Sequence, residues 1–477
     1  MLRAAMTLAE AALVTFSAPA LAQQTQLRPD QLAFRELYQE LVETNTTLSE
    51  GDCTLAAQRM AARLKAAGMQ DSQLTVFFPP DKPREGGLVA VWPGTSKTLK
   101  PLLLLAHIDV VEAKRSDWTR DPFKLVEEDG YFFARGVSDN KAQAAIWTDI
   151  LVRMAKAGER PKRTIKVALT CGEETVGAFN GAEWLTKERR ELIDAEFAFN
   201  EGGGGRTSGT ALAKGGKLVS QSIQIGEKAY QDFILTATNP GGHSSQPVRE
   251  NAIYAMSDAL ARLRDYTFPT EFSDVTRLFL ARSGPMYGGD LGAAMVALAN
   301  NPNDAAAEAV VRRDRMLNSL LGTTCVATLI EGGHAPNALP QTVKANVNCR
   351  MYPGRTAEET RAQIVAAIAN PAIKVERRDE GRPIAKQPPL DPRIMGPAER
   401  LVAKHFPGVP LLPAMATGAT DAVHTGAAGI PTYGVPGLWR DTDNNNTHGL
   451  NERLEVLALY RGRDFLTDLV RAVANEN

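Results

Sequence analysis

Apolar residues recur at helical spacing from Gln31 to Gly68, and Gly68 suits a helix end, so this stretch predicts two helices. Two short apolar runs follow, Leu88–Trp92 and Pro101–Ala106. The second is nearly unbroken, as expected of a strand buried on both faces. Lys141 to Gly158 reads as a helix, Thr164–Thr170 as a strand, Gly181–Glu191 as a helix and Ala195–Asn200 as a further strand. Strands alternating with helices predict an α/β domain built on a mostly parallel sheet.

The pattern changes near Gly226. Gln231–Thr238, Thr323–Ile330 and Thr342–Met351 alternate as strands, Asn251–Arg264 and Ala357–Ala369 as helices, and Ile373–Arg378 is a last short strand. An Ala-rich, charged stretch, Gly289–Leu321, predicts an inserted helical element. After Pro383 the first pattern returns and ends in a helix, Glu455–Ala474. The expected organisation is an α/β domain formed by 23–225 and 384–477, with an α+β sandwich, 226–383, inserted into it.

With 477 residues the chain is long enough for two domains, and 44% hydrophobic with 23% charged residues is ordinary globular composition. Lys+Arg 54 against Asp+Glu 55 leaves a net charge of -1 with no basic block, which argues against nucleic acid as a partner. No apolar run approaches the ~20 residues of a membrane span. At the amino terminus, Arg3, the apolar Ala11–Phe16 and Ala20-Leu21-Ala22 suit an export signal, 1–22, cleaved before Gln23. The mature protein is then expected in the periplasm or outside the cell. None of the four cysteines forms a C-x-x-C pair. Cys325 and Cys349 flank the 332–340 turn on two strand patterns, which leaves open a cross-strand disulfide or two buried thiols. Cys171, behind a buried strand, is expected to be an inert packed thiol.

Metal-type ligands sit where these elements end. His107 follows one strand, Glu173 and Glu174 another, and Glu201 a third. Asp139 lies in the Gly136-Val-Ser-Asp-Asn-Lys141 turn and His448 in a polar loop after Asn444–Asn446. Sites in open α/β sheets gather at the carboxyl ends of strands. Two imidazoles with several carboxylates suit zinc, and a carboxylate can bridge two ions. Asp109 is placed to orient His107. Of the adjacent glutamates, Glu174 reads as a ligand and Glu173 as a general base on metal-activated water. Taken singly, Asp139 also reads as a helix cap and His448 as an exposed loop histidine.

The series Ala106-His-Ile-Asp109, Gly136–Lys141, Gly172-Glu-Glu174, Glu201-Gly-Gly and His448 resembles the di-zinc exopeptidases and amidohydrolases. That family includes glutamate carboxypeptidase, aminoacylase, carnosine dipeptidase and succinyl-diaminopimelate desuccinylase. The resemblance implies two zinc ions per subunit, with cobalt or manganese as substitutes. Asp139 would bridge, His107 and Glu201 would hold one ion, and Glu174 and His448 the other. It further implies that the inserted domain is a lid and dimerisation domain. Its His243, in Asn239-Pro-Gly-Gly-His-Ser-Ser245, would polarise the scissile carbonyl of the partner subunit in a homodimer. Asn337 and Arg350 are candidates to hold a substrate carboxylate. Gly418 and Asp421, in Gly-Ala-Thr-Asp, and Gly437, in Gly-Val-Pro-Gly, resemble substrate-facing loops. Ala142 departs from the Gly common after this turn, and no metal role carries over to His334 or His424. The details look closest to the vacuolar carboxypeptidase and N-acyl-amino-acid hydrolase branch. The expected reaction is hydrolysis of an amide bond beside a free carboxylate, on a small peptide or an N-acyl amino acid. A dipeptidase or aminopeptidase is the alternative, and a non-catalytic metal- or peptide-binding relative a second.

Overall fold

The computed structural model describes residues 27–175, 177–378 and 383–476; the expected export signal lies outside them. Among the described residues, no helix is long and apolar enough to cross a membrane.

A ten-stranded sheet occupies the centre. Its order is Leu74–Phe77, Gly87–Trp92, Ile165–Thr170, Leu102–His107, Phe197–Asn200, Thr432–Gly434, Leu218–Glu227, Gly204–Thr207 and Trp439–Arg440, with Leu411–Ala416 beside Leu218–Glu227. The four strands from Ile165–Thr170 to Thr432–Gly434 run parallel, as the alternation of elements predicts. The unbroken run 102–105 is buried on both faces. Leu102 and Leu104 pack into one layer with Phe34, Met60, Trp147 and Phe465 from four helices. Leu103 and Leu105 face a second layer with Leu185 and Ile193. A side-chain period of two thus serves two cores from one apolar stretch.

The chain leaves the central sheet at Glu227 and enters a second sheet at Ala229. This antiparallel sheet has the order Thr324–Gly332, Thr342–Met351, Ala229–Thr238, Ile373–Arg377. The helices Ala252–Asp265 and Ala357–Ile368 cover one of its faces through Met256, Leu263, Ile364 and Ile368. The inserted helical element is larger than the periodicity suggests and begins at Asp274, because Gly284 and Pro285 mask the pattern of the helix Asp274–Tyr287. It also leans on the central sheet. Leu280 and Met295 share a core with Met415, and Arg282 donates to the Leu411 carbonyl at 3.0 Å.

Lys228, the one residue between the two sheets, is buried and donates to Ser319 O and Thr324 Oγ1, both at 2.9 Å. Burial, reinforced by Arg350, pulls its pKa down from 10.5 to about 7. The unfolded chain therefore holds this proton at pH values where the folded chain has released it. The Lys228 contribution to stability rises from about pH 7 toward 10.5, with a slope on the order of 1.4 kcal/mol per pH unit at most. Urea unfolding of wild type and Lys228→Met at pH 7 and 9 checks this: the wild type should gain relative to the variant as pH rises.

Both cysteine expectations are resolved. Cys325 and Cys349 stand opposite each other in antiparallel register and are bonded. Cys171 is not a free thiol. It is bonded to Cys53 in the first turn of the helix Cys53–Ala66, across a sequence separation of 118. The helix lies against the sheet and brings the two Cα atoms to 6.1 Å, within disulfide reach.

Candidate active site

The carboxyl ends of the parallel strands converge on one cluster. His107 closes the strand Leu102–His107, and its Nε2 lies 3.2 Å from Asp139 Oδ1 and 3.5 Å from Glu201 Oε1. His448 Nε2 lies 2.9 Å from Glu174 Oε2 and 3.4 Å from Asp139 Oδ2. The two oxygens of Asp139 thus face two separate imidazole–carboxylate pairs. Ligand atoms of His107, Asp139 and Glu174, and of His107, Glu173 and Glu201, lie within 4.8 Å of one another.

Local sequence shapes each loop. Gly172 has φ +92°, and a Cβ there would meet Phe179 O at 1.6 Å, so only glycine makes the turn into Glu173-Glu174. His448 has φ +63° in a loop where Asn444, Asn445, Asn446 and Asn451 also have positive φ, and asparagine tolerates that region best among residues with side chains.

Four carboxylates (Asp139, Glu173, Glu174 and Glu201) surround two imidazoles, so acidic groups outnumber basic ones in the cluster. Burial raises Glu173 well above the usual carboxylate range, and the Glu201 charge adds to this; burial likewise raises Glu174 and Glu201. Burial also opposes ionisation of Asp139, yet hydrogen bonds from His107 and His448 hold its pKa well below the ordinary value. Burial alone would lower the His107 pKa; Glu201, Asp109 and Asp139 raise it well above the ordinary value instead. Hydrogen bonds to Asp139 and Glu174 push His448 up to about 10. Glu174 Oε1 and Asp109 Oδ1 are buried without a hydrogen-bond partner. Nitrogen and carboxylate donors, an excess of acidic groups and an unpaired ligand oxygen fit divalent metal ions at this cluster.

A second layer holds the donors. Glu452 is fully buried; its carboxylate accepts the N–H groups of Gly136, Ser138 and Asp139 at 2.9–3.0 Å and pairs with Arg135 at 2.8 Å. It fixes the turn that carries Asp139. The sequence offers no signal for this role, because 313 residues separate Glu452 from Asp139. A short sheet of Val126–Glu128, Tyr131–Phe133 and Arg453–Glu455 brings the two segments together. Glu452→Gln sets an amide against those N–H donors and should weaken metal binding by about 10–100-fold, as loss of a ligand-orienting group does. Titration against a chromophoric chelator measures this.

The remaining sequence-predicted residues occupy varied settings. The Asp109 carboxylate accepts the Glu174 N–H at 3.0 Å, tying two ligand loops together, while His107 Nδ1 sits nearer the Asp109 carbonyl, at 3.1 Å, than its carboxylate, at 3.6 Å. Asp421 lies at the start of the helix Ala422–Ala427. It is buried, and both oxygens take protein hydrogen bonds, from Thr170 at 3.0 Å and Asn180 at 2.7 Å. Gly437 is also buried, with φ +123°, and a Cβ there would meet Phe465 at 2.6 Å. Gly418 is exposed after the strand Leu411–Ala416. His243 pairs with Ala338 in a two-stranded ribbon, is exposed, and binds Ser245 Oγ at 2.8 Å; Asn337 adjoins it through the Ser244 N–H. Arg350 lies at the far end of Thr342–Met351, over the Tyr230 ring, so one subunit does not bring Asn337 and Arg350 together.

Residues 103–472 match the model of peptidase family M20/M25/M40. The chain belongs to that family. This M20 hydrolase is 27% identical over 387 residues to N-fatty-acyl-amino acid synthase/hydrolase PM20D1 of Mus musculus, covering 76% of this chain and 72% of that protein. It is 26% identical over 393 residues to Probable carboxypeptidase S-like 2 of Dictyostelium discoideum, covering 80% and 74%. The M20 family metallo-carboxypeptidase Sso-CP2 of Sulfolobus solfataricus shares the fold, with a TM-score of 0.66, 17% identity, and 94% and 100% of the two chains covered.

Proposed function

We propose that this M20 hydrolase cleaves an amide bond beside a free carboxylate, as a carboxypeptidase or an N-acyl-amino-acid amidohydrolase. One observation carries the proposal: the Asp139 carboxylate divides His107 and Glu201 from His448 and Glu174, with Glu173 beside the first pair. His107, Glu201, Asp139, Glu174 and His448 would hold two zinc ions. When bound, they supply Lewis acidity toward the attacking water and the scissile carbonyl. Glu173 takes a proton from that water on its carboxylate and delivers it to the leaving nitrogen. Relatives named for N-fatty-acyl-amino acids and carboxypeptidase activity support the substrate class.

The homodimer belongs to the same proposal. Thr324–Gly332 is an edge strand on which Val326, Leu329 and Ile330 are 60%, 67% and 61% exposed. An exposed apolar edge is a template for pairing with a second chain. Pairing there would let His243 act on the partner's substrate, as an exposed donor on a glycine-flanked ribbon can. Export as a cleaved periplasmic or secreted enzyme completes the reading, and the two disulfides support an oxidising compartment.

Assay of purified, zinc-loaded protein on N-acyl amino acids, blocked dipeptides and free dipeptides tests the reaction. Cleavage confined to free dipeptides would show a dipeptidase instead. Sedimentation of wild type and Leu329→Lys tests the dimer: an active monomeric variant removes the role given to His243.

A further inference from the structure

A cavity of about 130 Å³ lies beside Glu201, between the glycine loop 202–205, the start of the helix Lys141–Ala157 and the segment 435–440. Asn140 and Gln143 line it, 3% and 5% exposed, and neither Asn140 Nδ2 nor Gln143 Nε2 has a hydrogen-bond partner. Two unpaired buried donors are costly and call for acceptors. Their placement is concerted. Asn140 is the N-cap residue and makes no side-chain cap bond, while Gln143 follows three positions on, along the same helix face. The positive end of a 17-residue helix backs them. Arg440, half-buried on the facing wall, brings a guanidinium that bonds Asn444 Oδ1 at 3.2 Å. Trp439 and Leu454 supply apolar wall.

Amide donors, a guanidinium and a helix amino terminus select an anion with planar acceptors, and the apolar wall accommodates a few methylenes. The volume is well below the roughly 300–1,000 Å³ of pockets that enclose drug-sized ligands, so a long acyl chain does not fit within it. We propose that this cavity is an acyl-side subsite for a carboxylate, and that the preferred acyl group is a short dicarboxylic one. The assignment rests on the amidohydrolase reading, since an anion here adjoins Glu201, whose charge bound metal would offset. Nothing in it depends on which amino acid lies on the other side of the scissile bond.

The test compares N-glutaryl and N-hexanoyl forms of the amino acid whose N-acetyl form is cleaved fastest, because the two acyl chains match in size and differ in the terminal carboxylate. Zinc-loaded wild type should prefer the glutaryl substrate in kcat/KM by about tenfold or more, the scale of one charge-assisted hydrogen bond. Gln143→Leu should lose the preference, and Gln143→Glu should reverse it, with N-acetyl cleavage retained in both. Calorimetry with glutarate gives an independent readout: Kd should rise about tenfold in Gln143→Leu and binding should vanish in Gln143→Glu. Equal rates on the two substrates, or glutarate binding absent or unchanged in both variants, would overturn the subsite and leave a water-filled cavity. Failure to cleave any N-acyl amino acid would instead sink the amidohydrolase reading, and the glutarate titrations would still decide the subsite.

Discussion

Glu173→Gln should lower kcat by about a thousandfold while leaving the metal content of the protein unchanged. Glutamine matches glutamate in shape but cannot accept a proton from the attacking water or return it to the leaving amine. Among the described residues no hydrogen bond fixes the Glu173 carboxylate, so the substitution breaks no scaffold. Its neighbour differs: Glu174 bonds His448 through Oε2 and its backbone is tied to Asp109. Glu174→Gln should therefore cost metal as well as rate. Saturation kinetics beside elemental analysis of the purified variants separates the roles. A Glu173→Gln protein that has lost metal makes Glu173 a ligand, and one that retains most of its kcat removes the base.

The second large effect concerns Cys53–Cys171. Replacing both cysteines by alanine should destabilise the protein by about 2–5 kcal/mol, the usual cost of losing a native disulfide. With separations of 118 and 24 residues, the loop-entropy argument ranks this bridge above Cys325–Cys349 by about 1.4 kcal/mol. Its position adds a specific consequence. Cys171 immediately precedes Gly172-Glu173-Glu174, and the segment leading to Cys53 is bonded to the neighbouring ligand loop, where Thr46 Oγ1 donates to Ile108 O at 2.6 Å and Val110 N to Thr46 O at 3.3 Å. Loss of Cys53–Cys171 should thus weaken metal affinity as well as stability, whereas loss of Cys325–Cys349 in the second sheet should affect stability alone. Denaturant unfolding and metal titration of the two double variants provide the comparison. Equal metal affinities in both would detach the bridge from the site.

Much of the site was legible because its chemistry is carried by residue type at the ends of locally patterned elements. An unbroken run such as Leu102–Ala106 is typical of a strand with two buried faces, and a histidine directly after it stands at the rim of the sheet. The same holds for Glu173, Glu174 and Glu201 behind their strands. The helical insert was less legible, since Gly284 and Pro285 interrupt a periodicity that the fold nonetheless uses.

What the sequence determined by itself is therefore the alternation of strands and helices, the parallel centre of the sheet and the inventory of donors, but not strands such as Leu218–Glu227 and Leu411–Ala416. Tertiary structure alone decided which of them meet. It joined Cys53 to Cys171, placed Glu452 under the Asp139 turn, turned Asp421 and Gly437 inward, and set Asn337 and Arg350 apart. The physical reason is range. Periodicity and turn preference act over a few neighbouring residues, whereas a disulfide, a buried carboxylate bonded to three amides, or a cavity lined by idle donors depends on segments brought together only when the cores close.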